Sequence, residues 1–381
     1  MNIELDNRQR EIIKSASEFA RTVLAPRARE NEERGAFAED LVEQMAERGY
    51  LGATIPQELG GLGLDPIAYG QLVVAIEKGD SSASRLLTVH LALAAETILK
   101  CGSEEQVQKW IPPIARGEKI CAFGLTEPEH GSDAAGIECA YSDLGDEFRL
   151  NGHKRWITFS GIADQFLIIA RDHKEISAFL VERDRAGVEV NPQSGLMAGR
   201  ACHISEITLH DVLIPRENLI GQQGQGFTFV ANTALDHGRY SIAWSGVGLA
   251  EAALDAMVSY SKKRKQFGEK IGTFQLVREM IAESVSRLYA AKSLCLRAGE
   301  SRKTGNPDSI IETTIAKHFS ATSAFRTACD AVQVHGGNGF SNTYPVERYL
   351  REAKVLEVIE GTSQIQQMVI SLHGLRRYGR S

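Results

Sequence analysis

The stretch Cys121-Ala122-Phe123-Gly124-Leu125-Thr126 is where the chain changes character. Before it, apolar residues recur at three- and four-residue spacing; after it, they come in short β-branched and aromatic runs. These runs predict strands over 121–126, 148–151, 155–159, 166–170, 176–181, 188–191 and 204–213, punctuated by Gly, Asp and Asn at the intervals of an antiparallel barrel. Toward the N-terminus, Asp6 and Gln9 have capping-box spacing, and Ile12, Ala16, Phe19 and Val23 form one stripe that Pro26 is expected to end. Helices are expected over 41–45 and 67–76, flanking the Gly-rich turn 58–63, and again over 86–99 and 104–111. Beyond Gly226 the helical period returns. Ala243, Val247, Ala250, Leu254 and Met257 make the narrow seam of a helix bundle, and helix fills most of the chain up to Gln366 or beyond. The fold class expected is α+β: a helical region over 1–119, a β region over 120–226 and a second helical region over 227–381, with both helical parts able to share one bundle.

Composition limits the function classes. The 381 residues are 43% hydrophobic and 24% charged, which is ordinary for a globular protein and excludes disorder, collagen and a small disulfide scaffold. A net charge of −6 gives no global pull toward nucleic acid or an anionic membrane. The longest low-charge stretch, 86–99, is too short to span a bilayer and contains His90 and Glu96. The N-terminal residues lack a charged-then-apolar signal region. Six scattered cysteines without a CxxC pair suit a reducing compartment, so a cytoplasmic location and no metal site are expected.

Familiar motifs are scarce. Gly221, Gly224 and Gly226 do not form GxGxxG after a strand, and a surface turn is the plainer reading. GxxxxGK[ST], HExxH and GxSxG are absent. Lys262-Lys263-Arg264-Lys265 reads as a solvated helix end, or as a contact for a phosphate.

Three segments are harder to explain as packing. Residues 125–133, LTEPEHGSD, follow an apolar strand, and their hydroxyls and N–H groups suit a polar planar ligand as well as a strand-ending turn. In Lys154-Arg155-Trp156-Ile157-Thr158, a period of two puts Trp156 and Thr158 on one face and Arg155 and Ile157 on the other. An indole beside a hydroxyl suits the edge of an aromatic cofactor; a half-buried strand without ligand fits equally. In Val358-Ile359-Glu360-Gly361-Thr362-Ser363, desolvation would raise the pKa of Glu360 and poise it as a general base. Gly361 would admit a substrate close to the backbone. The plainer alternative is an acid at a helix N-terminus, stabilised by the dipole.

Seven collinear segments then resemble the acyl-CoA dehydrogenase family: LTEPEHGSD (125–133), KRWIT (154–158), LDHGRYSIAWSGVGLAEAALD (235–255), RKQFG (264–268), QVHGGNGF (333–340), YPVERYLREAK (344–354) and IEGTSQIQ (359–366). The resemblance covers essentially the whole chain. It implies an N-terminal helical domain, a central antiparallel β-barrel domain and a C-terminal four-helix bundle. It also implies FAD as cofactor and an enzyme that oxidises the Cα–Cβ bond of an acyl thioester. By similarity Glu360 is the base that removes the α-proton while the β-hydride passes to flavin N5. Some relatives carry the base at the position of Gly238, which has no side chain here.

The resemblance assigns further roles. Phe123, Leu125 and Thr126 would line the flavin ring, Trp156 and Thr158 its dimethylbenzene edge and N5 side, and Thr362 and Gln364 would contact FAD just after the base. Ser132 would sit where FAD meets the pantetheine arm of the substrate. Asp236 and Arg239 would lie near the entrance for that arm, and Gly361 beside the substrate. Arg264, Phe267 and Gln275 would reach the FAD of a neighbouring subunit, and Gln333, Gly336 and Gly337 its adenosine-diphosphate half. A homo-oligomer follows, a dimer of dimers or homotetramer, with an electron-transferring flavoprotein or another acceptor as redox partner.

Some positions depart from the family pattern. Ile359 replaces an aromatic residue, and Glu129 and His130 stand where many relatives have small ones. These changes leave room for a short, branched or polar acyl group. They also keep open a dehydrogenase or oxidase acting on an acyl group tethered to a carrier protein in a biosynthetic pathway. A non-catalytic flavin-binding protein is the remaining alternative; the retained Glu360 argues against it.

Overall fold

The computed structural model describes residues 4–173 and 175–379. Seven helices come first: α1 (Asn7–Phe19), α2 (Ala25–Arg34), α3 (Glu39–Glu47), α4 (Pro66–Gly79), α5 (Ser81–Leu86), α6 (Glu96–Cys101) and α7 (Glu104–Ala115). The strands are β1 (Cys121–Gly124), β2 (Ala140–Asp143), β3 (Glu147–Ile157), β4 (Gln165–Arg171), β5 (Ile176–Glu182), β6 (Val188–Pro192), β7 (Ser205–Pro215) and β8 (Leu219–Ile220). After α8 (Asn232–Ser261) come a hairpin, β9 (Lys265–Gln266) and β10 (Glu269–Lys270), and four further helices. These are α9 (Gln275–Lys303), α10 (Ser309–His335), α11 (Val346–Leu356) and α12 (Ser363–Arg377). The order helical, β, helical is the one expected. Among the described residues no helix is long and apolar enough to cross a membrane.

The contacts sort the chain into two compact units that cut across chain order. The first consists of the described parts of Met1–Pro26, Pro66–Ser84 and Arg239–Ser381. It is a helix bundle, and it draws on both helical regions. Asp6 and Gln9 form the expected reciprocal cap, Gln9 N–H donating to Asp6 Oδ1 at 2.8 Å and Asp6 N–H to Gln9 Oε1 at 3.1 Å. The seam on α8 is buried, and the fully buried Trp244 lies where a Cβ on Gly70 of α4 would collide with its indole. Tyr69 Oη and Ser241 Oγ share a buried hydrogen bond of 2.8 Å. Pro26 does not end the first helix. Ala20–Leu24 widens into π-helical bonding, with Ala25 N–H reaching Ala20 C=O, and α2 continues through the proline. The N–H that Pro26 lacks falls where the α-helical ladder is already interrupted.

The second unit holds Arg27–Asp65 and Arg85–Gly238. Its sheet runs β6-β7-β3-β2-β4-β5-β8, with β1 paired to β4. The β1–β4 and β2–β4 pairings are parallel and the others antiparallel. Two strands expected separately, 148–151 and 155–159, are one continuous β3. The Asn-Gly between them reads as a turn in sequence, but it makes a register shift against β7 instead. Gly152, at φ 152, is the residue that allows it, since a Cβ there would lie 2.6 Å from Cys139 Cα. The fully buried His90 joins β1 to the helices: Cys121 N–H donates to its Nδ1 at 3.1 Å, so Nε2–H donates to Ile114 C=O at 3.0 Å. That tautomer is neutral, and burial pulls the imidazole down to about 4.

Beside β1 lies a buried ion pair. Lys154 Nζ is 2.6 Å from Glu127 Oε1 and donates to Leu125 C=O at 3.0 Å. Glu127 also accepts the N–H groups of Glu138 (2.6 Å) and Cys139 (2.9 Å). Every oxygen of the carboxylate is engaged, the condition under which a buried charge is tolerated. Lys154→Met leaves Glu127 uncompensated and is expected to destabilise the fold by about 3–5 kcal/mol in denaturant unfolding, with much of the loss recovered in Lys154→Met/Glu127→Met. A single variant as stable as wild type would show that the pair does not hold this loop.

Candidate active site

Glu360 lies in the short connection between α11 and α12, outside both helices. Its φ is 55 and that of Gly361 is 88, two successive left-handed residues. Glycine tolerates this conformation; a glutamate in it is strained, and such strain collects at functional sites. The surroundings hold the turn. Arg239 Nε, from α8, donates to Glu360 C=O at 3.1 Å. Lys317 Nζ, from α10, donates to Gly361 C=O at 2.8 Å. Gln366 Nε2 reaches the same two oxygens at 3.1 and 3.0 Å. A Cβ on Gly361 would meet the end of the Gln366 side chain, Nε2 at 2.8 Å, and it is the φ of 88 that calls for glycine. Thr362 caps α12, its hydroxyl accepting Ile365 N–H at 3.3 Å. The C=O of Glu360 is thus tied twice, whereas its N–H has no partner among the described residues.

Electrostatics follow from this packing. Burial pushes the Glu360 carboxyl up to about 7, against the opposing pull of Arg239 and Lys317. The residue keeps part of its surface accessible. Lys317 is fully buried, and burial brings its ammonium down to about 8, still largely charged at neutral pH. The reading of Glu360 as a dipole-stabilised acid inside a helix N-terminus does not hold: Thr362, not Glu360, is the cap.

The other sequence candidates fall into groups. In the second unit, Phe123 is buried in β1 and Leu125 follows it, its C=O fixed by Lys154. Thr126 C=O accepts Arg155 N–H at 2.9 Å, joining 125–133 to the KRWIT strand. Ser132 is exposed on the loop. Trp156 does not alternate simply with its neighbours. A second register shift separates Lys154 from Ile157, both buried, and Trp156 bulges out at φ 62 with 47% of its surface exposed. Arg155 stacks on its indole at 4.6 Å. Thr158 is half-buried just past the strand. The hydroxyls of Thr126 and Thr158 bond to no described residue, so an exposed indole and two free hydroxyls remain for a flat polar ring. Asp236 is half-buried on α8.

Gly238, at the end of the second unit, offers no side chain; in the first unit, Thr362 and Gln364 come just after Glu360. The remaining group lies elsewhere in the bundle and is exposed: Arg264, Phe267, Gln275, Gln333, Gly336 and Gly337. The basic run is not simply a helix end. Lys265–Lys270 folds into the β9–β10 hairpin, with Phe267 (φ 53) and Gly268 (φ 80) at its tip, so Phe267 stands 95% exposed. Tyr260 ties the two exposed segments together. It stacks on His335 at 4.1 Å and its Oη accepts Asn338 Nδ2 at 2.8 Å.

Sequence reasoning missed Lys317, Gln366 and Tyr260, along with the Glu127–Lys154 pair. Lys317 leaves one signal, a lone cation among small and apolar residues of 313–321. Gln366 lies only six residues beyond Glu360, whereas the contacts of Tyr260 with Asn338 and of Glu127 with Lys154 are long-range and leave no spacing to read.

Comparison with known proteins supplies the family. Residues 6–118, 122–212 and 224–375 match the acyl-CoA dehydrogenase N-terminal, middle and C-terminal domains. A probable acyl-CoA dehydrogenase, YngJ of Bacillus subtilis, is 37% identical over 97% of this chain and 99% of its own. The caffeyl-CoA reductase–Etf complex subunit CarC of Acetobacterium woodii is 37% identical over 94% and 96%. The structure of butyryl-CoA dehydrogenase from Megasphaera elsdenii superposes with a TM-score of 0.95 at 34% identity, covering 99% of this chain and 100% of that one. The chain belongs to the acyl-CoA dehydrogenase family.

Proposed function

We propose that Glu360 is the catalytic base of a flavin-dependent acyl-CoA dehydrogenase, and that it removes the α-proton of the acyl thioester. The observation that carries this reading is a recessed carboxyl near neutrality on a clamped left-handed turn. An ordinary carboxylate is too weak a base for a thioester α-proton unless the developing enolate is stabilised. The uncommitted N–H of Glu360 supplies a donor for the thioester carbonyl oxygen, while Arg239, Lys317 and Gln366 keep the adjacent carbonyls from competing for it. Gly361, which would lie beside the acyl group, lets the turn take its left-handed form.

FAD, when bound, accepts the β-hydride at N5. The exposed Trp156 indole and the hydroxyls of Thr126 and Thr158 suit its ring, and by the family resemblance Phe123, Leu125, Thr362 and Gln364 would be further contacts. Arg264, Phe267, Gln275, Gln333, Gly336 and Gly337 would hold the adenosine-diphosphate portion of the FAD of a neighbouring subunit, which makes the protein an obligate homo-oligomer, a dimer of dimers. Their joint exposure and the Tyr260 tie support this assignment. Ser132, Asp236 and Arg239 would meet the pantetheine arm. An electron-transferring flavoprotein is the partner that takes the electrons, and CoA is the carrier of the acyl group. Bleaching of the flavin only by carrier-protein thioesters would move the reading to the tethered-substrate branch, and peroxide release would make the protein an oxidase.

Three outcomes check the proposal. Glu360→Gln should remain yellow and FAD-loaded yet lose roughly 10²–10⁴-fold or more in the rate of anaerobic flavin reduction by substrate; near-normal reduction removes Glu360 from the chemistry. Because the base must be ionised, and its carboxyl is pushed up to about 7, kcat/KM should rise with pH through about 7 and level off above it. A profile already flat from pH 6 would mean an unperturbed carboxyl. Arg264→Ala should weaken FAD retention in the assembled oligomer, and unchanged affinity there refutes the cross-subunit contact.

A further inference from the structure

Lys317 is a cation near Glu360 that none of the seven sequence segments contains. It sits on α10, fully buried, and its Nζ donates to Gly361 C=O at 2.8 Å. We infer that Lys317 is a positioning residue for the proposed base: its ammonium clamps the carbonyl of Gly361 and so fixes the left-handed Glu360–Gly361 turn from which the carboxyl and N–H of Glu360 are presented. The inference rests on the reading of Glu360 as base.

Three features carry it. A buried lysine is costly, and an apolar or neutral residue would fill the same space unless the charge were used. The turn it grips places a non-glycine residue at φ 55, a conformation that persists only when the surroundings over-determine it. The clamp is also divided among elements: Arg239 on α8 takes the Glu360 carbonyl, Lys317 on α10 the Gly361 carbonyl, and Gln366 on α12 both. Gln366 is neutral, so its bonds hold the turn without affecting the carboxyl by charge. Lys317 acts on both. The charged and titratable groups facing it are Glu360 and Glu357 in the connection after α11, Arg239 on α8, and His318 on its own helix. As a cation it favours the ionised carboxyl, so its removal should raise the proton affinity of Glu360 and move the ionisation to higher pH.

The test uses FAD-loaded Lys317→Met and Lys317→Gln with two readouts, anaerobic flavin reduction against pH and infrared titration of the carboxyl band assigned by its loss in Glu360→Gln. Lys317→Met should lose roughly 10-fold or more in reduction rate, the size of effect that a misplaced catalytic group produces. Its carboxyl titration should move up by about one unit or more. Lys317→Gln restores a donor without charge and should recover part of the rate while keeping the raised titration. A wild-type rate and an unmoved carboxyl band in both variants overturn the inference. If Lys317→Met does not fold, an unmoved band in Lys317→Gln does so alone. If Glu360→Gln loses its reduction rate while the Lys317 variants behave as wild type, only this inference falls; if Glu360→Gln keeps its rate, the base assignment fails and the inference with it.

Discussion

A carboxylate that serves as a base near neutral pH must be withdrawn from water without being neutralised by its partners. Full burial alone would leave it protonated, and a direct ion pair would leave it too weak a base. For Glu360, the proposed base, the balance is struck through the backbone. Arg239 and Lys317 spend hydrogen bonds on the carbonyls of Glu360 and Gly361, not on the carboxyl, and act on the carboxyl only through space. The result is a group pushed to about 7, between an ordinary glutamate and a permanently protonated one. The same bonds secure a turn that a glutamate would not adopt unaided.

The second unit meets a parallel demand with a different device. A loop proposed to bind a ring has to be rigid, yet its polar groups must stay free for the ligand. The Glu127–Lys154 pair takes up the structural bonds of the loop after β1, including Leu125 C=O and two N–H groups from 138–139. The hydroxyls of Thr126 and Thr158 are left uncommitted. A bulge at Trp156 turns the indole outward while Lys154 and Ile157 stay inside. Charge inside the fold thus supports polarity at the surface, and the motif residues divide into those left exposed or uncommitted and those that hold them in place.

What was legible in the sequence follows the reach of each interaction. The helix periods, the capping box at Asp6 and the onset of strands at Cys121 are local, and they stand as expected. Local reading failed where a backbone irregularity mimicked a boundary: Pro26 did not stop its helix, and Gly152 marked a bulge and not a turn. Simple alternation over 155–158 also did not foresee the register shift between Lys154 and Ile157, from which Trp156 bulges out. Glu360 was legible as a candidate from its apolar setting and from family resemblance. Of its supports, Gln366 is only six residues away, but Lys317 is brought to it by tertiary packing, and Tyr260 meets His335 and Asn338 across a long sequence gap. Such contacts have no period and no spacing for a single sequence to show.

The central claim is that Glu360 removes a proton from carbon, and this can be separated from hydride transfer. An acyl-CoA with α-hydrogens but no β-hydrogen cannot be dehydrogenated, so proton removal alone is observed. Incubated with the FAD-loaded protein in D₂O, it should take up deuterium at the α-carbon with the wild type and lose that exchange with Glu360→Gln. Equal exchange by the two proteins would contradict the account.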